Sequence, residues 1–244
     1  MKAMILSAGL GTRLKPLTNN IPKALVKING ITLLENAIKT VSNFGFDDII
    51  INVHHFSEKV KTFIKENKFS AKITISDESE KLLNTGGGVK KASRFFDNEP
   101  FLLYNVDIIS DINLNKMMKQ HKKSKALATL AIRKRESSRY LLFEENNLLC
   151  GWKNNKSGKK IIKGNAEKLE EMAFSGIHII NPRIFKLMPK DDKFSIIKLY
   201  LDLIEKNKII GFNHSDSLWM DAGKIEDLEL AEKRVRRSER GLEG

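Results

Sequence analysis

The alternation of apolar runs and helix-period segments through the first 107 residues leaves few folds open. "KAMILSA", "DDIIINV", "AKITIS" and "PFLLYNVD" are short, strand-like apolar runs bounded by polar or turn residues, and each reads as a buried strand. Three segments of helical pattern lie between them. "ITLLENAIKTVSNFGF" sets Leu34, Ala37, Ile38, Val41 and Phe44 on one face, with Gly45 where a C-terminal cap belongs. "SEKVKTFIKEN" begins at Ser57, and "LLNTGGGVKKASRFF" runs from a loop into the third helix. Strands separated by helices cannot pair as hairpins, so their sheet is parallel and covered by helices. The expected class is α/β: a Rossmann-like mixed, mostly parallel sheet with helices on both faces. Ligands of such sheets gather at the carboxyl ends of the strands, where the Gly9 loop and Asp107 fall.

The second half is less regular. "ALATLAIRK", "RYLLFEENNLLCGW" with a hairpin around Asn146-Asn147, "MAFSGIHIINP" and "SLWMDAG" read as strands. "FSIIKLYLDLIEKN" reads as a helix, and "KIEDLELAEKRVRRSE" as a closing one that carries the basic block at residues 233–240. No repeat or low-complexity linker interrupts the chain. The expectation is a single domain over residues 1–244, with an embellished second half that ends in the C-terminal helix.

Apolar residues make up 41% of the chain, enough for a core, and no run approaches the length of a membrane span. The apolar stretch of "MKAMILSAGL" is too short for a signal peptide, and Cys150 is the one cysteine. A cytoplasmic protein without a membrane partner is expected. The net charge of +13 comes from lysines scattered over helix faces, with little aromatic interleaving, so no specific nucleic acid is expected as a partner.

The opening loop carries the first chemistry. Glycines after a buried strand let backbone N–H groups approach an anion. Leu14 breaks the dinucleotide fingerprint that Gly9 and Gly11 begin, and no P-loop pattern occurs. Two cations follow instead. Arg13 offers a planar fork for phosphate oxygens and Lys23 a compact point charge.

"AGLGTRLKPLTNNIPKAL" resembles the signature of the sugar-1-phosphate nucleotidyltransferases, or nucleotide-sugar pyrophosphorylases. "LLNTGGGVKKA", "FLLYNVDIISD", "FSGIHIINP" and "LWMDAGKIEDLELAE" continue the resemblance in order along the chain. It is strongest to the short bacterial branch of N-acetylmuramate-1-phosphate uridylyltransferases and mannose- or heptose-1-phosphate guanylyltransferases. The resemblance implies the nucleotide-diphospho-sugar transferase fold, with residues 1–112 as its nucleotide-binding half and residues 113–244 as its sugar-phosphate-binding half and C-terminal helix. It also implies Mg²⁺-dependent transfer from an NTP, UTP by preference, to a sugar 1-phosphate, giving NDP-sugar and pyrophosphate.

Residue by residue, the resemblance makes Arg13 and Lys23 catalytic. Ala8, Gly9, Gly11, Thr12, Thr85, Gly86 and Gly87 are nucleotide-binding. Asn105, Glu171, Ser175 and Gly176 contact the sugar phosphate, and Asp107 and Asp221 hold the Mg²⁺. Asp111 reads as part of the cap region of the next helix. His54-His55 reads as a loop or packing pair. Two features depart from the family pattern: Val106 stands where a glycine commonly precedes the metal aspartate, and "KLEEMAFSG" lacks the Glu-Lys-Pro lysine of longer relatives, for which Lys163 or Lys168 could substitute. Guanylyl transfer to mannose- or heptose-1-phosphate, cytidylyl transfer to an alcohol phosphate such as phosphocholine, and a non-catalytic nucleotide-sugar-binding regulator are the alternatives. A monomer or homodimer is expected.

Overall fold

The computed structural model describes residues 1–163, 168–223 and 228. In chain order the strands are β1 (Lys2–Leu6), β2 (Lys27–Ile28), β3 (Ile31–Thr32), β4 (Asp48–Val53), β5 (Lys72–Asp77), β6 (Phe101–Asn105), β7 (Ile108–Ser110), β8 (Ala128–Arg133), β9 (Arg139–Phe143), β10 (Leu149–Asn154), β11 (Lys160–Ile162), β12 (Glu170–Ile180), β13 (Ile209–Asn213) and β14 (Trp219–Asp221). The helices are α1 (Leu33–Ser42), α2 (Ser57–Glu66), α3 (Asn84–Lys91), α4 (Leu114–Ser124) and α5 (Ile196–Leu203). The closing helix and its basic block lie outside the described residues. No described helix is long and apolar enough to cross a membrane.

Two compact units share the chain. The first takes Met1–Leu82, Tyr104–Ile112 and the described residues from 218 onward; the second takes Leu83–Leu103 and Asn113–Ser217. Residues 83–103 therefore group with the second unit, and residues from 218 onward return to the first.

In the first unit β1 pairs parallel with β4, and β4 parallel with β5. Ala3, Met4, Ile5, Ile49 and Ile51 are fully buried, as the near-continuous apolar runs of a covered parallel sheet require. Thr32 caps α1, its hydroxyl accepting the Glu35 N–H at 3.1 Å. The left-handed turn at Gly45 (φ +79°) follows this helix, and it is Phe46, rather than Phe44, that is completely buried. The first unit also holds the β7–β14 ribbon, in which Asp221 lies opposite Ile108 and Trp219 opposite Ser110.

The second unit is organised on the eleven-residue β12, which pairs antiparallel with both β9 and β8. Strand β8 adds β13 in parallel, and β9 continues through β10 to β11. The expected hairpin is the β9–β10 pair, with Asn147 left-handed (φ 60°) and Asn146 Oδ1 accepting the Leu148 N–H at 3.0 Å. Strands β11 and β13 go beyond what periodicity predicts, because each is a short apolar step among lysines. The fold is the expected mixed α/β one.

Candidate active site

In the first unit, β1 delivers the chain to a loop that has reasons to contain glycine. Gly11 is left-handed (φ +67°), and a Cβ there would press on Thr18 Cγ2 at 3.0 Å and Lys23 Cβ at 3.2 Å. The Thr18 hydroxyl donates to the Gly11 carbonyl at 2.8 Å, pinning the return of the loop. Gly9 differs: its φ is ordinary, and a Cβ there would meet no protein atom within 4 Å. Ala8 is buried, and Thr12 and Arg13 are exposed.

A buried relay holds the loop from behind. The Ser7 N–H donates to Asn52 Oδ1 at 2.8 Å, and Asn52 Nδ2 donates to Glu78 Oε1 at 2.7 Å. Asn52 and Glu78 are 3% and 1% exposed. The His54 ring reaches the Glu78 carbonyl at 2.7 Å, while His55 lies against the Phe56 ring. Sequence reading passed over Asn52 and Glu78. Nothing in one chain tells a buried Asn–Glu pair from surface polar residues.

Asp107 sits in the turn between β6 and β7, two residues beyond the end of its strand. Its carbonyl accepts the Ala222 N–H at 2.8 Å, so the ribbon that pairs Asp221 with Ile108 also ties the two aspartate backbones together. Lys23 Nζ donates to Asp107 Oδ2 in a largely buried ion pair. Asp221 Oδ1 is buried, with no hydrogen-bond partner among the described residues. Burial above all, and then the Asp107 carboxylate, push the Asp221 carboxyl above its ordinary pKa, while Lys23 and Arg13 pull it back.

Gly223 marks where these groups meet. A Cβ built there would come within 2.5 Å of Asp221 Oδ1, 2.6 Å of Arg13 Nη2 and 3.1 Å of Lys23 Nζ. One carboxylate and two cations thus crowd a single glycine, and Asp107 joins them through Lys23. Sequence reading gave Gly223 no role, although it closes the quoted "LWMDAG".

Asn105 ends β6 half-buried, and the next residue, Val106, is 4% exposed with its N–H donated to the Leu6 carbonyl at 3.1 Å. Asp111 donates its N–H to the Leu218 carbonyl, and Asn113 is the residue whose side chain caps α4.

The second unit carries the remaining expected residues. Helix α3 starts at Asn84, so Thr85, Gly86 and Gly87 lie inside it rather than in a loop before it. The Gly86 and Gly87 N–H groups are donated to the Phe194 carbonyl at 2.9 and 3.3 Å, and the Thr85 hydroxyl accepts the Ile196 N–H at 3.2 Å. On β12, Ser175 is fully buried with its hydroxyl 2.7 Å from His214 Nε2. Gly176 is left-handed (φ +78°), within the register shift against β8. Glu171 is exposed and ion-paired with Lys153, whose ammonium lies 5.9 Å from the Tyr140 ring centroid. Lys163 pairs with Glu205. Lys153 was missed in the sequence because its register opposite Tyr140 belongs to a hairpin pairing that spacing alone does not give.

The profile of the nucleotidyl transferase family matches residues 2–238 of the chain. The N-acetylmuramate alpha-1-phosphate uridylyltransferase of Caulobacter vibrioides is 28% identical over 96% of this chain and 96% of that protein. The mannose-1-phosphate guanyltransferase of Yarrowia lipolytica is 30% identical over 93% of this chain and 62% of that protein. Several relatives are longer in this way, and the chain spans about three fifths of their length. Among solved structures, HddC from Yersinia pseudotuberculosis superposes with a TM-score of 0.75 at 23% identity, covering 96% of this chain and 99% of that one.

Proposed function

Since the chain belongs to the nucleotidyl transferase family, we propose that it transfers a nucleotidyl group from an NTP to a sugar 1-phosphate, releasing pyrophosphate. The carrying observation is the gathering of Arg13, Lys23 and Asp221 around Gly223, with Asp107 held by Lys23. In this reading an acceptor phosphate oxygen forms a bond to the α-phosphorus, and the bond from that phosphorus to the bridging oxygen of pyrophosphate breaks. The acceptor is already an anion near neutral pH, because a phosphate monoester's second pKa is about 6. No strong base is needed; the barrier is the meeting of anions.

Arg13 supplies a bidentate fork for the leaving phosphates, and Lys23 a point charge beside the reacting phosphorus. Gly9 fits close approach by a ligand, since protein packing does not demand a glycine there. Asp107 and Asp221 would hold Mg²⁺. They fit it: Asp221 Oδ1 is a buried acceptor without a partner among the described residues, and Mg²⁺ takes one or two carboxylates and completes its shell with phosphates and water. Bound there, the ion would supply positive charge that neutralises the phosphates. The ion pair with Lys23 holds the Asp107 side chain in place for that role.

Thr85, Gly86 and Gly87 keep the base-side role given by the resemblance. Asn105, Glu171, Ser175 and Gly176 keep the sugar-side one, and we add Lys153 as the sugar-side cation that the missing Glu-Lys-Pro lysine leaves out. UTP with an amino-sugar acid phosphate is the preferred pair, supported by the end-to-end match to the Caulobacter relative. GTP with mannose 1-phosphate is the second, supported by the 30% identity to the Yarrowia relative.

The test is pyrophosphate release across four NTPs and a panel of sugar phosphates and phosphocholine, with Mg²⁺. Release with one sugar phosphate and one NTP is expected; silence with every pair overturns the reading. Asp107→Asn is expected to lower turnover by at least about a hundredfold while the fold persists by circular dichroism. Undiminished turnover would remove Asp107 from the metal.

A further inference from the structure

Within the second unit a cavity of about 420 Å³ opens between the β9–β10–β11 sheet and helix α5. Cross-strand register decides which side chains face it. Trp152 lies opposite both Leu141 and Ile161, and Met172 lies opposite Leu141, so these four share one face of the sheet. Lys153 lies opposite Tyr140, and Glu171 opposite Leu142, which places Lys153 and Glu171 on the other face. Tyr140, opposite Lys153, also borders the cavity, but neither Lys153 nor Glu171 lines it.

Its walls are apolar and partly aromatic: Leu141, Trp152 and Phe174 from the sheet, Leu201 from α5. Leu141 and Leu201 are 2% and 5% exposed, whereas Trp152 and Phe174 are only half-buried, so the aromatic part of the wall is open to a ligand. No described residue stacks on the Trp152 ring or accepts its indole N–H.

The rim carries three cations and no lining carboxylate: Arg139, Lys159 and Lys198. Lys198 is paired with Asp202 one turn along α5, at 2.7 Å. Arg139 and Lys159 form no ion pair with any described residue. A cavity in this size range, lined by rings and framed by unpaired positive charge, matches one ligand chemistry. The rings take a flat apolar body by stacking, and the rim takes an anionic group.

We infer that this cavity, which Lys153 and Glu171 do not line, is a binding site for a small organic anion with a flat, apolar body. The inference does not rest on nucleotidyl transfer. The reporter is Trp152 itself, so its outcome is independent of pyrophosphate release.

The test uses the whole chain carrying Trp219→Phe, which leaves Trp152 as the one remaining tryptophan of two. The probe is 8-anilinonaphthalene-1-sulfonate, read by loss of Trp152 emission and by sensitised probe emission. One saturable site is expected. The double variant Arg139→Gln, Lys159→Gln is expected to bind about tenfold more weakly at low salt, two exposed charges together contributing about that much. Ile161→Phe, on the exposed edge strand, narrows the cavity and should abolish the signal. The neutral N-phenyl-1-naphthylamine should bind several-fold more weakly than the sulfonate. The same titration on the unsubstituted chain, read through probe emission, replaces the first if Trp219→Phe does not fold. Unchanged Trp152 emission, equal affinity in the double variant, or equal binding of the neutral probe would each overturn the assignment.

Discussion

Gly223 is small because its neighbours need the room. A methyl group there would meet the ends of Asp221, Arg13 and Lys23 rather than backbone, and side-chain ends can shift at little cost to folding. Gly223→Ala is therefore expected to change the melting temperature by no more than a few degrees. Yet displacing a carboxylate and two cations by about 1 Å should lower kcat/KM by on the order of a hundredfold. Parallel thermal and steady-state measurements on one preparation decide it: a large loss of stability or unchanged activity would contradict this role. Lys153→Met is expected to raise the KM for the sugar phosphate by about tenfold, with the KM for the NTP unchanged; equal effects on both would place Lys153 elsewhere. These two residues also show where sequence reading stops. Arg13, Lys23, Asp107 and Asp221 stood out because each sits beside a strand end or turn and is a charged residue in an apolar or glycine-rich setting. Gly223 and Lys153 owe their places to pairings that form only on folding: the return of β14 to β7, and the β9–β10 register.

Helix α3 shows a local preference overridden by packing. Three consecutive glycines disfavour a helix by about 1 kcal/mol each relative to alanine, which is why the sequence reads as a loop there. The helix nevertheless begins at Asn84, because the backbone of residues 192–194 lies against it where side chains would stand. A Cβ on Gly87 would overlap the Asp192 carbonyl, whereas one on Gly86 would meet the Phe194 ring and, at 2.9 Å, its carbonyl. Gly87→Ala gains helix propensity but forces backbone apart, and net destabilisation of about 1–2 kcal/mol is expected. Urea unfolding measures it; a stabilised variant would mean that the 192–194 segment yields freely. The same contact takes up the Gly86 and Gly87 N–H groups. If those glycines read a nucleobase, saturating NTP should alter hydrogen exchange at residues 192–196 as well as at 84–88. By contrast the strands β1, β4, β5 and β12 and the helices α1 and α5 were readable directly. β1, β4 and β12 are buried along most of their length, and α1 and α5 begin at a Thr and a Ser cap, so no long-range contact had to overrule the local signal.

Three histidines set how the second unit as a body responds to acid. His121, His178 and His214 are 1%, 1% and 5% exposed, and each holds a hydroxyl: Thr129 at 2.9 Å, Tyr200 at 3.0 Å and Ser175 at 2.7 Å. Burial lowers their pKa values to about 4, about 3 and about 4, with Lys122 and Arg183 adding to the effect at His121 and Arg133 at His214. In the unfolded chain each takes a proton near pH 6.5. Between that pH and the folded values the unfolded state binds more protons, so stability falls as pH falls. At pH 5 the loss is about 2 kcal/mol for each histidine, 1.5 units at 1.36 kcal/mol per unit. The net charge of +13 pushes the same way through self-repulsion, but salt screens that part and leaves proton uptake by buried rings largely untouched. Urea midpoints at pH 7.5, 6 and 5, each in 0.5 M salt, should fall steadily. His178→Gln, which cannot take up the proton, should flatten the slope by about one proton's share. Midpoints that hold constant down to pH 5 in high salt would mean that these rings are already charged in the folded protein, and that the Thr129, Tyr200 and Ser175 contacts tie imidazolium rather than neutral imidazole.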